Sequence, residues 1–180
     1  MATAGHDLAP SAAARAGTAS LGVERLAAGD ERSWDEYVRA APRGTFFHLA
    51  GWKRVIERAF GHATYYLAAR QAGRIVGVLP LTHVRSRLFG NALIANAFCV
   101  YGGPLAESEA ALLALDAEAL RIMGQLNARY LEYRTIAPLH QDWPRKGGLY
   151  VTFRRPLAAA VEANLKAIPR KQRAMVRKGM

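Results

Sequence analysis

The strongest chemical signal in the sequence is a cluster of cations near its C-terminus. Residues 168–180 (IPRKQRAMVRKGM) contain five positively charged side chains and no negatively charged one. Pro169 suits the first turn of a helix, because its φ is near-helical and its missing N–H would lack a partner there anyway. At helical spacing the arginines share one face, the lysines flank them, and Met175 and Val176 point the opposite way. The five cations are Arg170, Lys171, Arg173, Arg177 and Lys178.

This basicity is local. Residues 143–180 hold ten Lys or Arg and the single acid Glu162, whereas residues 1–142 hold fifteen basic and thirteen acidic side chains. Cations closer together than about one Debye length (~10 Å) repel each other, so clustering these five lowers the stability of the helix. The cluster therefore indicates binding of an anionic partner. The pattern predicts contact with a phosphate-bearing ligand such as a nucleotide, a nucleotide-sugar, RNA or an anionic lipid headgroup. A solvated surface helix is the simpler alternative.

Five further residues are candidates for substrate contact. His48, close to Trp52, has the chemistry of a general base or a phosphate contact, and the alternative is a structural histidine at the start of a helix. Tyr101, Gly102 and Gly103 precede a proline, and glycines without Cβ atoms allow a backbone to approach a ligand closely. Alternatively, these three residues form a turn between a strand and a long helix.

The composition excludes several kinds of site. A single cysteine, Cys99, rules out a disulfide framework and predicts a buried, inert thiol. The five histidines lack the paired spacing of a zinc site, so no metal is expected. Neither a G-x-S-x-G elbow nor a P-loop occurs. Since no apolar run approaches the roughly 20 residues that cross a bilayer, the sequence predicts no transmembrane segment and a cytoplasmic location.

The elements that must position these residues alternate between helix and strand. Residues 1–22 predict a flexible leader, residues 23–167 an α/β domain with a mixed sheet flanked by helices, and residues 168–180 a basic helix. Ser33, with Glu36 three positions on, predicts a capping box at a helix start. Further helices are predicted over residues 50–60, ended by Gly61, and over 107–127, with a helical region from 158. Strands are predicted over 64–70 and 74–84, which residues 71–73 join as a hairpin. Three more strands are predicted over 88–99, 130–134 and 150–153.

Several runs in the chain resemble the FemAB family of acyltransferases. They are FHLAGWKRVIERAFGH, YYLAARQAGRIVGVLPLTHVRSRLFGNALIANAF, YGGPL, YLEYR and IPRKQRAMVRKG. The chain resembles especially the branch associated with exosortase and PEP-CTERM exopolysaccharide systems in Gram-negative bacteria, over residues 34–180. The resemblance implies a GNAT-like domain that is the first of two. The basic helix would then lead into an absent C-terminal GNAT domain.

The resemblance also implies a chemistry. FemAB proteins transfer an acyl or aminoacyl group to an amine, and the implied donor is acyl-CoA or aminoacyl-tRNA, in cell-envelope or exopolysaccharide biosynthesis. The Gly-rich turn that faces the CoA pyrophosphate in GNAT enzymes is absent from this sequence. No cofactor is therefore expected in this half, and the fragment is expected to be inactive alone.

One position departs from the peptidoglycan-type Fem proteins. Their early helix motif resembles W-x-x-V-K, with a lysine that helps to hold a phosphorylated precursor. Here Trp52 and Val55 are present, but Ile56 follows the valine. An apolar side chain cannot replace that cation, so the departure favours another amine acceptor, such as a polysaccharide-linked sugar.

Two alternatives to an acyltransferase use the same basic helix. One is a non-catalytic module that binds nucleic acid or another polyanion, although the sequence lacks the aromatic interleaving of single-strand platforms. The other is weak peripheral contact with an anionic membrane surface.

Overall fold

The computed structural model describes residues 20–86, 90–148 and 151–179. These residues form two compact units, one ending at Leu139 and the other beginning at His140. Residues 1–19 of the predicted leader lie outside the described residues, and its last part, Leu21 and Gly22, belongs to the first strand.

A mixed sheet forms the centre of the first unit. Its strands are β1 (Leu21–Arg25), β2 (Ala63–Gln71), β3 (Arg74–Ser86), β4 (Gly90–Ala95), β5 (Leu105–Ala106) and β6 (Leu131–Glu132). The strand order is β1-β2-β3-β4-β6, and β5 pairs with β3. All of these pairs are antiparallel except β4 and β6, which are parallel. The predicted mixed sheet is confirmed.

Helices cover both faces of this sheet. They are α1 (Glu31–Ala40) and α2 (Gly51–Phe60), with a 3₁₀ turn at Phe46–His48 between them, and α3 (Glu109–Gln125). Successive side chains of a strand point to opposite faces. Accordingly, Leu67 of β2 packs in a core cluster with residues of α3, whereas Tyr66 packs in a second cluster with Trp34 of α1. The predicted α/β architecture with helices flanking the sheet is thus observed.

The hairpin between β2 and β3 confirms a prediction made from its turn residues. Ala72 and Gly73 join the strands with φ values of 51° and 76°. Two consecutive positive φ angles match the twist of antiparallel strands, and glycine adopts such an angle without strain. The helix predicted to end at Gly61 is also confirmed, since α2 stops there with Gly61 at φ 67°.

The capping-box prediction is wrong. Helix α1 begins at Glu31, after Asp30, so Ser33 lies inside its first turn. There the Ser33 hydroxyl donates to the Asp30 carbonyl over 2.9 Å. The Glu31 carboxylate accepts from the Gly29 N–H at 2.9 Å, so the chain turns into the helix earlier than the motif indicates.

Three predicted strands are shorter or missing. Of the strand predicted over 88–99, residues 88 and 89 lie outside the described residues. Strand β4 ends at Ala95, because Asn96 and Phe98 have φ values of 49° and 66° and turn the chain. In the segment predicted as a strand over 130–134, only Leu131–Glu132 is β6. Residues 151–153 form no strand, and residue 150 lies outside the described part. A strand needs a partner to satisfy its backbone, and 151–153 have none among the described residues.

The second unit contains two short helices, α4 (Val161–Lys166) and α5 (Arg170–Gly179). Asn164 fixes the start of α4, since its side chain accepts from the Ala158 N–H at 2.8 Å and donates to the Ala158 carbonyl at 2.7 Å. Pro169 immediately precedes α5, as its sequence predicts, and its carbonyl accepts the N–H of Arg173 at 2.9 Å. None of the helices in the described ranges is long and apolar enough to span a bilayer.

Candidate functional site

The predicted basic helix exists as α5, and four of its five cations are exposed. They are Arg170, Lys171, Arg177 and Lys178. Within the described ranges these four side chains form no ion pair. Met175 and Val176, on the other side of the helix, are 67% and 40% exposed. The surface of α5 thus combines uncompensated positive charge with an open apolar face.

Arg173 differs from the other four cations. Its guanidinium donates to the carbonyl oxygens of Lys166 and Ile168, both at 3.0 Å. Arg155 adds a hydrogen bond to the Ala167 carbonyl at 3.0 Å. These carbonyls end helix α4, where cations are electrostatically favourable. Arg173 therefore connects α4 to α5, a local role that its spacing in the sequence did not predict.

His48 is a buried histidine at the end of the 3₁₀ turn, only 4% exposed. Its Nδ1 lies 2.8 Å from the Thr45 hydroxyl. Burial lowers the pKa of His48 to about 4, while hydrogen bonds to the backbone of Gly103 and Thr45 act weakly in the opposite direction. A neutral ring that is enclosed and already hydrogen-bonded is poorly placed to remove a substrate proton. The geometry favours the structural role over the general base.

Trp52 packs in an aromatic group at the start of α2. Its ring centroid lies 5.7 Å from that of Phe46 and 5.8 Å from that of Phe47. The Trp52 indole Nε1 is buried without a hydrogen-bond partner among the described residues. Four positions further along α2, Ile56 is 1% exposed and belongs to the core. The position that carries lysine in the peptidoglycan-type motif therefore faces inward in this chain.

The two glycines after Tyr101 are explained by packing. The Gly102 N–H donates to the Arg134 carbonyl at 2.8 Å, and the Arg134 N–H donates back at 2.7 Å. A Cβ at Gly102 would lie 2.4 Å from the Ala95 carbonyl oxygen. Gly103 has a φ of 150°, and a Cβ there would lie 2.7 Å from a Thr135 methyl group. Both glycines are thus required by neighbouring backbone and side chains, but Gly102 forms a β-bridge to Arg134 and not the expected turn.

These contacts bring part of the predicted site together. His48 and Gly103 share a hydrogen bond, and Trp52 lies one helical turn beyond His48. Tyr101 is half-buried next to Gly102. The five cations of α5 belong to the other unit.

The sequence did not reveal a second aromatic group, formed by Phe60, His62 and Phe98. Phe60 and Phe98 stack with centroids 4.4 Å apart and planes 9° apart. The His62 ring lies 5.5 Å from Phe98 at 12°. Phe98 stands 38 positions after Phe60, in a run that looks like one continuous strand. The turn that brings Phe98 next to Phe60 begins at Asn96, and asparagine tolerates a positive φ. This residue type was the only local indication in the sequence that the strand ends there.

The N-terminus of α3 is capped by a serine and flanked by two acidic residues. Its Ser108 hydroxyl caps the helix by accepting from the Ala111 N–H at 3.2 Å. Glu107 and Glu109 flank this cap, and carboxylates there repel a phosphate. Glu107 also pairs with Arg74 through two contacts of 2.8 Å, which lowers the pKa of the Glu107 carboxyl.

Other predicted features have local explanations. Cys99 is 6% exposed, and burial raises the pKa of its thiol, as predicted for an inert cysteine. Its carbonyl accepts from Arg134 at 3.1 Å, and the Arg134 guanidinium pairs with Glu132 at 2.7 Å. Among the described residues, no group of three or more His, Cys, Asp or Glu side chains could hold a metal ion.

No protein-family model matches the chain, and no curated protein matches it either. Among solved structures, the chain is similar to the ribosomal-protein-alanine N-acetyltransferase from Brucella melitensis biovar Abortus 2308, with a TM-score of 0.44 and 16% sequence identity. The similarity covers 62% of this chain and 77% of that chain.

Proposed function

We propose that the chain is the substrate-positioning part of a FemAB-like, GNAT-type N-acyltransferase or aminoacyltransferase in cell-envelope or exopolysaccharide biosynthesis. The sequence runs that resemble FemAB proteins support this proposal. So does the order of the elements: the antiparallel strands β1 to β4, the short strand β5 and the long helix α3 are followed by β6, which is parallel to β4.

The observation that carries the proposal is the position of the candidate residues at the end of this parallel pair. Ligands of open α/β sheets bind beyond the carboxyl ends of parallel strands. Strands β4 and β6 pair over only two positions, Leu93↔Leu131 and Ile94↔Glu132. Just beyond them lie Asn96 and the Gly102–Arg134 bridge, and Gly103 follows with its contact to His48.

In the proposed reaction an acceptor amine attacks the carbonyl carbon of an acyl-CoA or aminoacyl-tRNA donor. A C–N bond forms, the thiol of CoA or the ribose hydroxyl of tRNA leaves, and the amine loses a proton. Positioning and stabilisation of the oxyanion would supply most of the rate. Since the N-terminus of α3 is occupied by its own cap, most of the donor site is assigned to a second, C-terminal GNAT domain.

The test is an assay of this 180-residue chain alone and together with a second GNAT-like domain, using a panel of acyl-CoA and aminoacyl-tRNA donors and amino-sugar acceptors. The expected result is turnover by the complete pair only. A variant with Lys171→Glu and Arg177→Glu should lower it, whereas Arg43→Glu, at an exposed arginine of the first unit, is the matched control. Robust transfer by the short chain, or no transfer by the pair with any donor, would contradict the proposal.

A second candidate function rests on the four exposed cations of α5 alone. They suit a non-catalytic module that binds a polyanion, and the exposed Met175 and Val176 would add weak contact with an anionic membrane surface. Binding of RNA or vesicles without any acyl transfer would favour this candidate.

A further inference from the structure

We propose that the aromatic stack of Phe60, His62 and Phe98 is a subsite for the base of a nucleotide-bearing ligand. The inference rests on the proposed function only for the identity of that ligand, namely CoA, the acceptor end of tRNA, or a nucleotide-sugar.

The first observation is the geometry of the stack. Its rings are nearly parallel, with angles of 9° and 12° to Phe98. Phe60 remains 47% exposed and Phe98 51% exposed. Large aromatic surface in contact with water is unfavourable, and a further planar ring can extend such a stack. Bases stack on aromatic side chains regardless of their identity, because every base has a π-face.

The second observation is the backbone that presents Phe98. A φ of 66° is uncommon for a bulky side chain, and strain of this kind is retained where neighbouring structure enforces it, often at ligand clamps. Here the turn is held at three points. The Asn96 N–H donates to the Pro80 carbonyl at 3.0 Å, the Cys99 N–H to the Asn96 carbonyl at 3.1 Å, and Arg134 to the Cys99 carbonyl at 3.1 Å. These hydrogen bonds fix the backbone from which the Phe98 side chain extends.

The third observation concerns two buried polar groups beside the turn. Tyr66 and Asn96 are each 2% exposed, and the Tyr66 hydroxyl and Asn96 Nδ2 have no hydrogen-bond partner among the described residues. Both residues lie next to Pro80: Tyr66 is its partner in the ladder between β2 and β3, and the Asn96 N–H donates to its carbonyl at 3.0 Å. Unsatisfied buried groups are costly, so a polar ligand that reached them would be favoured.

The charges of α2 point to a phosphate next to the base. Lys53, Arg54 and Arg58 give this ten-residue helix three cations against the single acid Glu57, which pairs with Lys53 at 2.8 Å. Arg54 and Arg58 are exposed and give α2 a positive field, although Arg58, two residues before Phe60, lies on a different face of the helix from that ring. Stacking surface combined with positive charge is the combination that binds nucleotides without reading their sequence.

The experiment compares binding of AMP, UMP and ribose 5-phosphate to the full chain by isothermal titration calorimetry at low salt. At least one nucleotide should bind about fivefold or more tightly than ribose 5-phosphate, the lower bound of one stacking interaction. A preference for AMP would identify an adenine ligand such as CoA or tRNA, and a preference for UMP a nucleotide-sugar. Equal binding of all three compounds, or no binding, would overturn the inference.

Three variants distinguish a loss of nucleotide binding at the Phe98 ring from a loss of folding stability. Phe98→Gly removes the ring but accepts the positive φ without strain, so it should keep the thermal unfolding midpoint while lowering nucleotide affinity to that of ribose 5-phosphate. Tyr66→Phe removes an unsatisfied hydroxyl, so it should weaken binding without lowering stability. Phe153→Ala, at a 91% exposed ring in the second unit, is the control that should change nothing.

The two proposals fail separately. Nucleotide binding that depends on Phe98, without acyl transfer by the complete enzyme, would support the subsite and contradict the proposed function. Transfer whose donor and acceptor KM values are both unaffected by Phe98→Gly would contradict the subsite and leave the proposed function standing.

Discussion

The indole Nε1 of Trp34 donates a hydrogen bond to the carbonyl oxygen of His48 over 2.7 Å, between two residues that are 0% and 4% exposed. Trp34 belongs to α1 and stacks on Tyr66 of the sheet at 5.2 Å. The ring of His48 in turn binds Thr45 and the backbone of Gly103. His48 therefore joins α1 and the 3₁₀ turn to the glycine pair that follows Tyr101, and its protonation state affects the whole arrangement.

The first prediction is a loss of stability in mild acid. The pKa of His48 is lowered to about 4 in the folded chain, against about 6.5 in an unfolded one. Between these values the unfolded state binds the additional proton, so the free energy of unfolding should fall as pH drops from about 6.5 to about 4, by roughly 3 kcal/mol in total. Above pH 6.5 this contribution should be constant. Chemical denaturation at a series of pH values measures it.

The matched variant is His48→Gln, which keeps a side-chain donor and acceptor but does not titrate. Its stability should be lower at pH 7 and should vary less between pH 4 and 6.5 than that of the wild type. An unchanged pH profile in the variant would show that another group is responsible.

The second prediction concerns Gly102. Adding one methyl group by Gly102→Ala would place a Cβ 2.4 Å from the Ala95 carbonyl, a backbone atom that cannot rotate away. We expect destabilisation of about 1–3 kcal/mol, the usual cost of overpacking. Gly22→Ala in β1, where a Cβ meets nothing within 4 Å, is the control and should be near neutral. Equal denaturation midpoints for the two variants would contradict the packing explanation.

The third prediction compares the stability cost of a lysine at positions 56 and 55, which correspond to the lysine and the valine of the motif W-x-x-V-K. Ile56→Lys, which supplies the lysine of the peptidoglycan-type motif, would bury a charge at a position that is 1% exposed. It should cost about 3 kcal/mol or more. Val55→Lys, one residue earlier and 42% exposed, should be tolerated within about 0.5 kcal/mol. Thermal unfolding measures both, and a stable Ile56→Lys protein would place that side chain outside the core.

The fourth prediction distinguishes the cations of α5. Arg177→Glu should weaken binding of RNA and reduce its salt dependence, because each phosphate contact contributes a slope of roughly −0.7 for single strands. Arg173→Lys keeps the charge but loses the hydrogen bonds to Lys166 and Ile168, so it should leave the salt slope unchanged and reduce helix content. Filter binding at several salt concentrations, with circular dichroism of each variant, provides the measurement. Identical effects of the two substitutions would contradict the separate roles.

Short-range patterns in this sequence predicted structure well. The hairpin through Ala72 and Gly73, the end of α2 at Gly61 and the helix after Pro169 each depend on residues within a few positions of one another. The capping box failed because the Glu31 carboxylate and Gly29 N–H made a competing local contact.

The candidate site was predicted only in part, because its contacts join distant residues. His48 and Gly103 were both named from the sequence, but nothing local indicated that they touch. The stack of Phe60 with Phe98 depends on where β2, β3 and β4 place the turn after Ala95. The sequence pattern places Arg173 with the ligand-binding cations, because helical spacing shows only which side chains of α5 share a face. It does not show that the carbonyls at the end of α4 lie within hydrogen-bond distance of Arg173.

The sheet register has a consequence for the order in which the chain folds. Strands β2 and β3 meet across two residues, whereas β1 pairs with β2 across a separation of about 50 residues, as in Leu21↔Gln71. Closing the longer loop costs more chain entropy before any contact is gained. The hairpin should therefore form early and β1 should join late. In a pulse-labelling hydrogen-exchange experiment, the amides of β3 that bond to β2 would become protected before those of β1.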